Sequence, residues 1–290
     1  MGDKQTQTVS DGSVAIQVKG DFNYSGLTYR DVREICVELI EVNFPILREE
    51  ARTISMEYVE EFGKNFFDRL KQEDLEKTQE RLKSPDVQAA ISSSVVHVAR
   101  MTEKSHQEIL CELLTEKINE TEDEKNLILN DSIEIMTKIT KNQILFLVLI
   151  YALRNITKLQ KQGDIIVYHP DQSVHYNYFA NEIPDLIGDE VYPIDSFLLT
   201  HKGLVRSQAF IKYEVSLTQL LKNRTGIDFP EYQEDQKIED EDEFSKNFPR
   251  LSQVLRQFNF YKLTDFDSLP ITPIADEIAK AYLKNVGFIR

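Results

Sequence analysis

Histidine and cysteine are the side chains best able to ligate a metal, pass a proton or attack an electrophile, and their spacing is the first constraint on chemistry. The five histidines are His97, His106, His169, His175 and His201. Only His169 and His175 lie close in sequence, flanking Asp171 in a stretch with aromatic neighbours. Two imidazoles and a carboxylate could hold a divalent ion or relay a proton, but a metal or acid–base site there needs a third, convergent ligand. Histidines of a surface loop are the plainer reading. Cys36 and Cys111 fall among apolar residues of predicted helices, where a thiol acts as a small buried hydrophobe in a reducing compartment.

The motifs that usually carry catalysis do not occur. There is no Cys-x-x-Cys, no His-Glu-x-x-His and no Gly-x-Ser-x-Gly, and the 10 scattered glycines build no phosphate-cradling loop. Carboxylate pairs on helices are expected as solvated faces of an acidic chain. The sequence therefore assigns no catalytic residue, no metal ligand and no cofactor, and leaves an unrecognised enzyme as the third reading.

Charge narrows the partners. With 49 acidic and 34 basic residues the formal charge is −15, a field that repels phosphate backbones and anionic lipid. A local basic cluster at His201, Lys202, Arg206, Lys212, Lys222 and Arg224 runs against that field. The longest apolar run, Ile144 to Leu153, is about half of what a bilayer requires and reads as a core helix. Met1 to Ser10 is polar, unlike a secretory leader, so the expectation is a cytoplasmic protein without a membrane span.

Hydrophobic spacing supplies the scaffold. Val32, Ile35, Cys36, Leu39 and Ile40 form one helical stripe, ended by Pro45. Leu47, Ala51, Ile54, Tyr58, Phe62, Phe66 and Leu70 form a second. Ser84-Pro85 starts a helix over Val87 to Ala99, and another covers Ser105 to Ile118. Thr140 to Gln143 is a capping box that opens the most apolar helix. Residues 28–160 thus predict a bundle of roughly five to seven helices. Beyond Gly163-Asp164, Ile165 to Tyr168 reads as a strand, followed by helices near Ile194 to Leu199, Ser207 to Asn223 and Leu251 to Phe258. Residues 231–243 carry eight acidic side chains against one lysine and read as a solvated loop. Phe260 to Leu263 and Leu269 to Ile271 suggest a short hairpin, and Thr272-Pro273 caps a last helix.

That C-terminal order of helix, hairpin and Thr-Pro-Ile start resembles a winged-helix domain, although Ala275 stands where that family usually has glycine. The resemblance implies DNA or protein contact through Leu251 to Phe258. Lys202, Arg206, Lys212, Arg250 and Arg256 are then the candidate nucleic-acid or partner contacts.

The first 27 residues differ from the rest. Gly12 to Gly26 alternates short β-formers with Gly, Asp, Asn and Ser, and it predicts one or two strands whose open edges want a neighbour. Val14-Ala-Ile-Gln-Val-Lys-Gly20 resembles short signalling motifs in which copies stack in register. Val14, Ile16, Gln17, Val18, Gly20, Phe22 and Tyr24 are the self-association candidates.

Asp11-Gly-Ser-Val-Ala-Ile-Gln17, Gly26-Leu-Thr-Tyr-Arg-Asp-Val-Arg-Glu-Ile35 and Asn43-Phe-Pro45 are similar to the opening of a family of bacterial helical proteins without an assigned activity. The likeness is strongest over residues 11–50. It implies a bacterial or prophage origin and brings no active site; a place in phage defence or stress signalling is what the look of the N-terminal motif suggests. The fold expectation is mainly α: a β-prone segment at 1–27, a helical bundle at 28–160, and a smaller α+β winged-helix-like domain at 161–290. The functional expectation is a homo-oligomeric interaction protein with an unidentified protein partner; a DNA-binding regulator is the alternative.

Overall fold

The computed structural model describes residues 29–43, 49–73, 75–162, 165–206, 213–229, 237–239 and 242–289. The chain is mainly helical and divides into two compact units, 1–137 and 138–290. The division falls before the capping-box helix rather than after it at 160. That helix is apolar on nearly every side, and the elements that cover it follow it in the chain.

The first unit holds α1 (Tyr29–Asn43), α2 (Glu49–Leu70), α3 (Leu75–Leu82), α4 (Pro85–Val98), α5 (Lys104–Asn119) and α6 (Asp123–Met136). Helix α5 is its axis: α2, α3, α4 and α6 all pack on it. This is why Ile109, Leu110, Cys111, Leu113, Leu114 and Ile118 are all fully buried, on more than one face. On α1 the predicted Cys36, Leu39 and Ile40 are buried, and on α2 the predicted Phe62, Phe66 and Leu70 are, but the first half of the α2 stripe is corrected: Ala51 and Ile54 are exposed, and Ser55 and Val59 are buried in their place. Lys117 is completely buried, and its ammonium meets Asp86 at 2.5 Å. Burial alone would raise the Asp86 carboxyl, yet the bonds from Lys117 and Asn130 hold it below the ordinary carboxylate range.

The second unit is built around α7 (Lys141–Asn155). The Thr140 hydroxyl accepts from the Gln143 amide nitrogen, and the Gln143 side chain accepts in return from Thr140. A hairpin follows, β1 (Leu159–Gln162) with β2 (Ile165–Tyr168), and then α8 (Gln172–Asn177), a π turn (Tyr178–Glu182) and α9 (Ile183–Ile187). Next come α10 (Ser196–His201), α11 (Leu217–Thr225), α12 (Glu243–Asn247), α13 (Pro249–Gln257), α14 (Leu263–Asp267) and α15 (Pro273–Asn285). Helix α15 packs along α7, and Phe146 of α7 meets Phe258 and Phe260 at ring-centroid distances of 5.3 and 5.2 Å.

Three expectations are corrected in this unit. The helix expected from Ser207 begins only at Leu217, where the Ser216 hydroxyl accepts from the Gln219 amide; residues 207–212 lie outside the described set. The hairpin expected at 260–263 and 269–271 is not formed. Leu263 and Phe266, three residues apart, turn inward as the buried side of α14. Ile271 instead forms an isolated antiparallel bridge with Val205, flanked by Arg206 N–H to Pro270 O at 2.8 Å and Thr272 N–H to Leu204 O at 3.0 Å. The α+β expectation is therefore reduced, among the described residues, to helices with one two-stranded sheet. Part of the acidic loop also folds back: Ile238 is buried, its N–H bonded to Tyr261 O at 2.6 Å, and Asp242 caps α12.

Candidate functional site

The β1–β2 hairpin gathers four exposed large apolar side chains in eight strand residues. Ile165 and Ile166 are 61% and 72% exposed, and Leu159 and Tyr168 are also open. The strands pair antiparallel in the register Leu159↔Tyr168, Gln160↔Val167, Lys161↔Ile166, Gln162↔Ile165. His169 N–H donates to Lys158 O at 3.1 Å, which fixes the phase of the ladder. Antiparallel pairs alternate between bonded and non-bonded, so Gln160 and Val167 bond each other, whereas Lys161, Ile166 and Tyr168 direct their N–H and C=O groups outward. Among the described residues no third strand meets either edge.

The base of the hairpin is held firmly. Arg224 donates to Ile156 O at 2.8 Å and to the Thr157 hydroxyl at 3.2 Å, just ahead of β1. Lys158 pairs with Glu182 at 2.5 Å and lies 4.7 Å from the centre of the Tyr178 ring. At the other strand the Tyr168 ring stacks on His175 at 4.3 Å. Deeper in the unit, Arg154 at the last turn of α7 pairs with Asp267, donates to Val215 O at 2.6 Å, and lies against the Tyr213 ring at 4.1 Å. These basic and aromatic residues are spent on structure, and they present an anchored strand pair to solvent.

The histidine pair does not form the site its spacing allowed. His175 is buried rather than a surface loop residue, and its Nε2 bonds His169 O at 2.8 Å. Asp171 caps α8 by accepting from Ser173 N–H at 2.8 Å, and bonds from Ser173 keep its carboxyl below the usual range. His169 Nδ1 accepts from Asp171 N–H at 3.2 Å. The three residues do converge, but their polar atoms hold a turn. Among the described residues no three His, Cys, Asp or Glu side chains gather as a metal site would require.

The basic candidates are dispersed into separate roles. Lys202 is half-buried and donates to Lys138 O at 2.5 Å and to Gln143 Oε1 at 3.2 Å; burial pulls its ammonium below the ordinary lysine range. Arg250 pairs with Asp185 at 2.6 Å. Arg206 is exposed beside the Val205–Ile271 bridge, and Arg256 is half-buried on α13. Lys212 lies outside the described residues, as do Val14, Ile16, Gln17, Val18, Gly20, Phe22 and Tyr24.

Strand β1 was missed by the sequence reading because Leu159-Gln-Lys-Gln162 is polar. The signal that could have found it is the Gly163-Asp164 dipeptide beside the β-branched run Ile165 to Tyr168, a composition that in sequence favours a hairpin. Cys36 and Cys111 are buried free thiols, and burial pushes Cys36 up to about 12. No helix among the described residues is long and apolar enough to cross a membrane.

Neither a curated protein nor a solved structure matches the chain. A protein-family model does match it, over residues 26–190, and its description names no activity, ligand or partner. The match takes in all the helices of the first unit and continues through α7, the hairpin and α9. Because that span is more than half of the chain, the protein belongs to this family.

Proposed function

We propose that this chain is a non-enzymatic interaction protein that assembles with copies of itself through β pairing. The observation that carries the reading is the β1–β2 hairpin, whose edges meet no third strand among the described residues and whose Ile165 and Ile166 are exposed on an anchored base. An exposed apolar strand edge is a template for another strand, and folded proteins ordinarily cover or charge such edges. The β-forming residues Val14, Ile16, Gln17 and Val18 offer a second pairing segment, and residues 12–20 carry no carboxylate in a chain of charge −15. Phage defence or stress signalling, suggested by the look of the N-terminal motif, is the setting we assign to that assembly. Size-exclusion chromatography with light scattering tests it on the full chain, on a deletion of residues 1–26 and on Ile166→Lys. Full-length oligomers that shrink in at least one variant support the reading, and a monomer in all three would overturn it.

A DNA-binding role through α13, as in a winged helix, is the second reading. Arg206 and Arg256 favour it, while the Arg250–Asp185 pair and the helix α14 in the position of the wing weigh against it. It predicts salt-dependent binding of duplex DNA that weakens in Arg256→Glu.

A further inference from the structure

We infer that two copies of this chain join edge to edge through strand β2, as an antiparallel pair about a twofold axis centred on Val167. The inference rests on the self-assembly reading and names the surface and its occupant.

The two edges of the hairpin are not equivalent. On β1 the outward groups belong to Leu159 and Lys161, and a lysine on an open edge opposes pairing. On β2 they belong to Ile166 and Tyr168, in the run Ile165-Ile-Val-Tyr168, which has strong β propensity, no charge and no proline. The β2 edge is therefore the unprotected one.

A second β2 is the strand that fits it. With Val167 opposite its own symmetry mate, Ile166 of each copy faces Tyr168 of the other, and these are the residues whose N–H and C=O groups point outward. The bonds then form in the register the hairpin already imposes, and Val167 meets Val167 as a close non-bonded pair. Ile166 gains the Tyr168 ring as a cross-strand neighbour, an aromatic–β-branched pair of the kind that stabilises sheets. A twofold contact of this kind is the commonest form of self-association.

Electrostatics point the same way. Two molecules of charge −15 repel each other, yet strands β1 and β2 themselves include no carboxylate and hold Lys161, with Asp164 between them as the one acidic residue of residues 159–168. The hairpin is thus a place where copies approach with little like-charge cost. A four-residue edge buries less than the roughly 1,000 Å² of a stable interface, so the contact is weak and reversible unless other segments add to it. The test must capture it in place.

Val167→Cys places a thiol on the proposed axis, where two copies come within disulfide range. The native thiols, Cys36 and Cys111, are 3% and 0% exposed and do not compete. Leu127→Cys, at a position 64% exposed on α6, reports random collision. Under mild oxidation of the full chain, followed by non-reducing electrophoresis, Val167→Cys should form covalent dimer about tenfold faster than Leu127→Cys or more, as expected when pairing raises the local concentration. The excess should persist after residues 1–26 are deleted and vanish when Ile166→Lys is added. Equal rates for the two thiols, in a protein that light scattering shows to be oligomeric, would overturn the β2 contact and leave self-assembly standing. An excess lost on deleting residues 1–26 would move the contact to the N-terminal segment and also overturn it. A strictly monomeric protein would overturn both.

Discussion

The guanidinium of Arg154, at the end of α7, is paired with the carboxylate of Asp267, at the end of α14, although 113 residues separate them. The two side chains are 4% and 11% exposed. Asp267 also accepts from Leu217 N–H at 2.9 Å, so one carboxylate ties α7, α11 and α14 together. A buried pair of this kind adds modest net stability when intact but is costly to break, because the surviving charge has no solvent.

Asp267→Ala is accordingly expected to destabilise the protein by about 3–5 kcal/mol, with the unpaired Arg154 as the cause. Urea denaturation of the full chain measures it. The double variant Arg154→Met with Asp267→Leu should lose less than Asp267→Ala alone, and an equal or larger loss would show that the charge is not what matters.

A half-buried carboxyl on α15 makes stability depend on pH. Burial pushes Asp276 up from its ordinary 3.8 to about 6; Lys280 opposes the shift and Glu277 adds to it. One carboxylate oxygen of Asp276 is buried without a hydrogen bond. The fold favours the neutral acid, so this contribution is fully present below pH 3.8 and is lost as pH rises through about 6. Asp276→Asn should flatten the melting temperature over that window and raise it at pH 7–8. An unchanged pH profile would contradict the assignment.

The capping box of α7 has a local and measurable worth. Thr140→Ala removes the acceptor for the Gln143 amide and should cost about 1 kcal/mol in the same denaturation experiment. Thr140→Ser keeps the hydroxyl and should lie close to the parent.

The native thiols give a probe of intactness. Cys36 and Cys111 should resist a thiol-reactive dye in the folded protein, since both are buried and burial disfavours the reactive thiolate. Both should react fully in denaturant. Rapid labelling of the native protein would show that the core around α1 and α5 opens.

Features governed by near neighbours were the legible ones. Thr140 with Gln143, Pro85 after Ser84 and Pro273 after Thr272 each settle a helix start within one turn, and all three helices begin where those residues place them. The strand at Ile165–Tyr168 was legible from its β-branched run. Contacts made at a distance were not. Nothing near Ile271 says that its strand partner is Val205, and nothing near Lys202 says that its ammonium reaches Lys138 O and Gln143. His175 looked like a surface residue because its burial comes from Tyr168 on the hairpin and from the His169 carbonyl. The polar strand β1 exists because β2 pairs with it, and with β1 the candidate surface itself became visible only in three dimensions.

Sedimentation velocity on the parent protein and on Ile166→Lys, over a wide range of concentration, tests the self-assembly account most directly. The parent should show a reversible, concentration-dependent dimer or larger species. Ile166→Lys should sediment as a smaller species at matched concentration, with its melting temperature unchanged because position 166 is exposed. A parent that sediments as a monomer at every concentration would contradict the account.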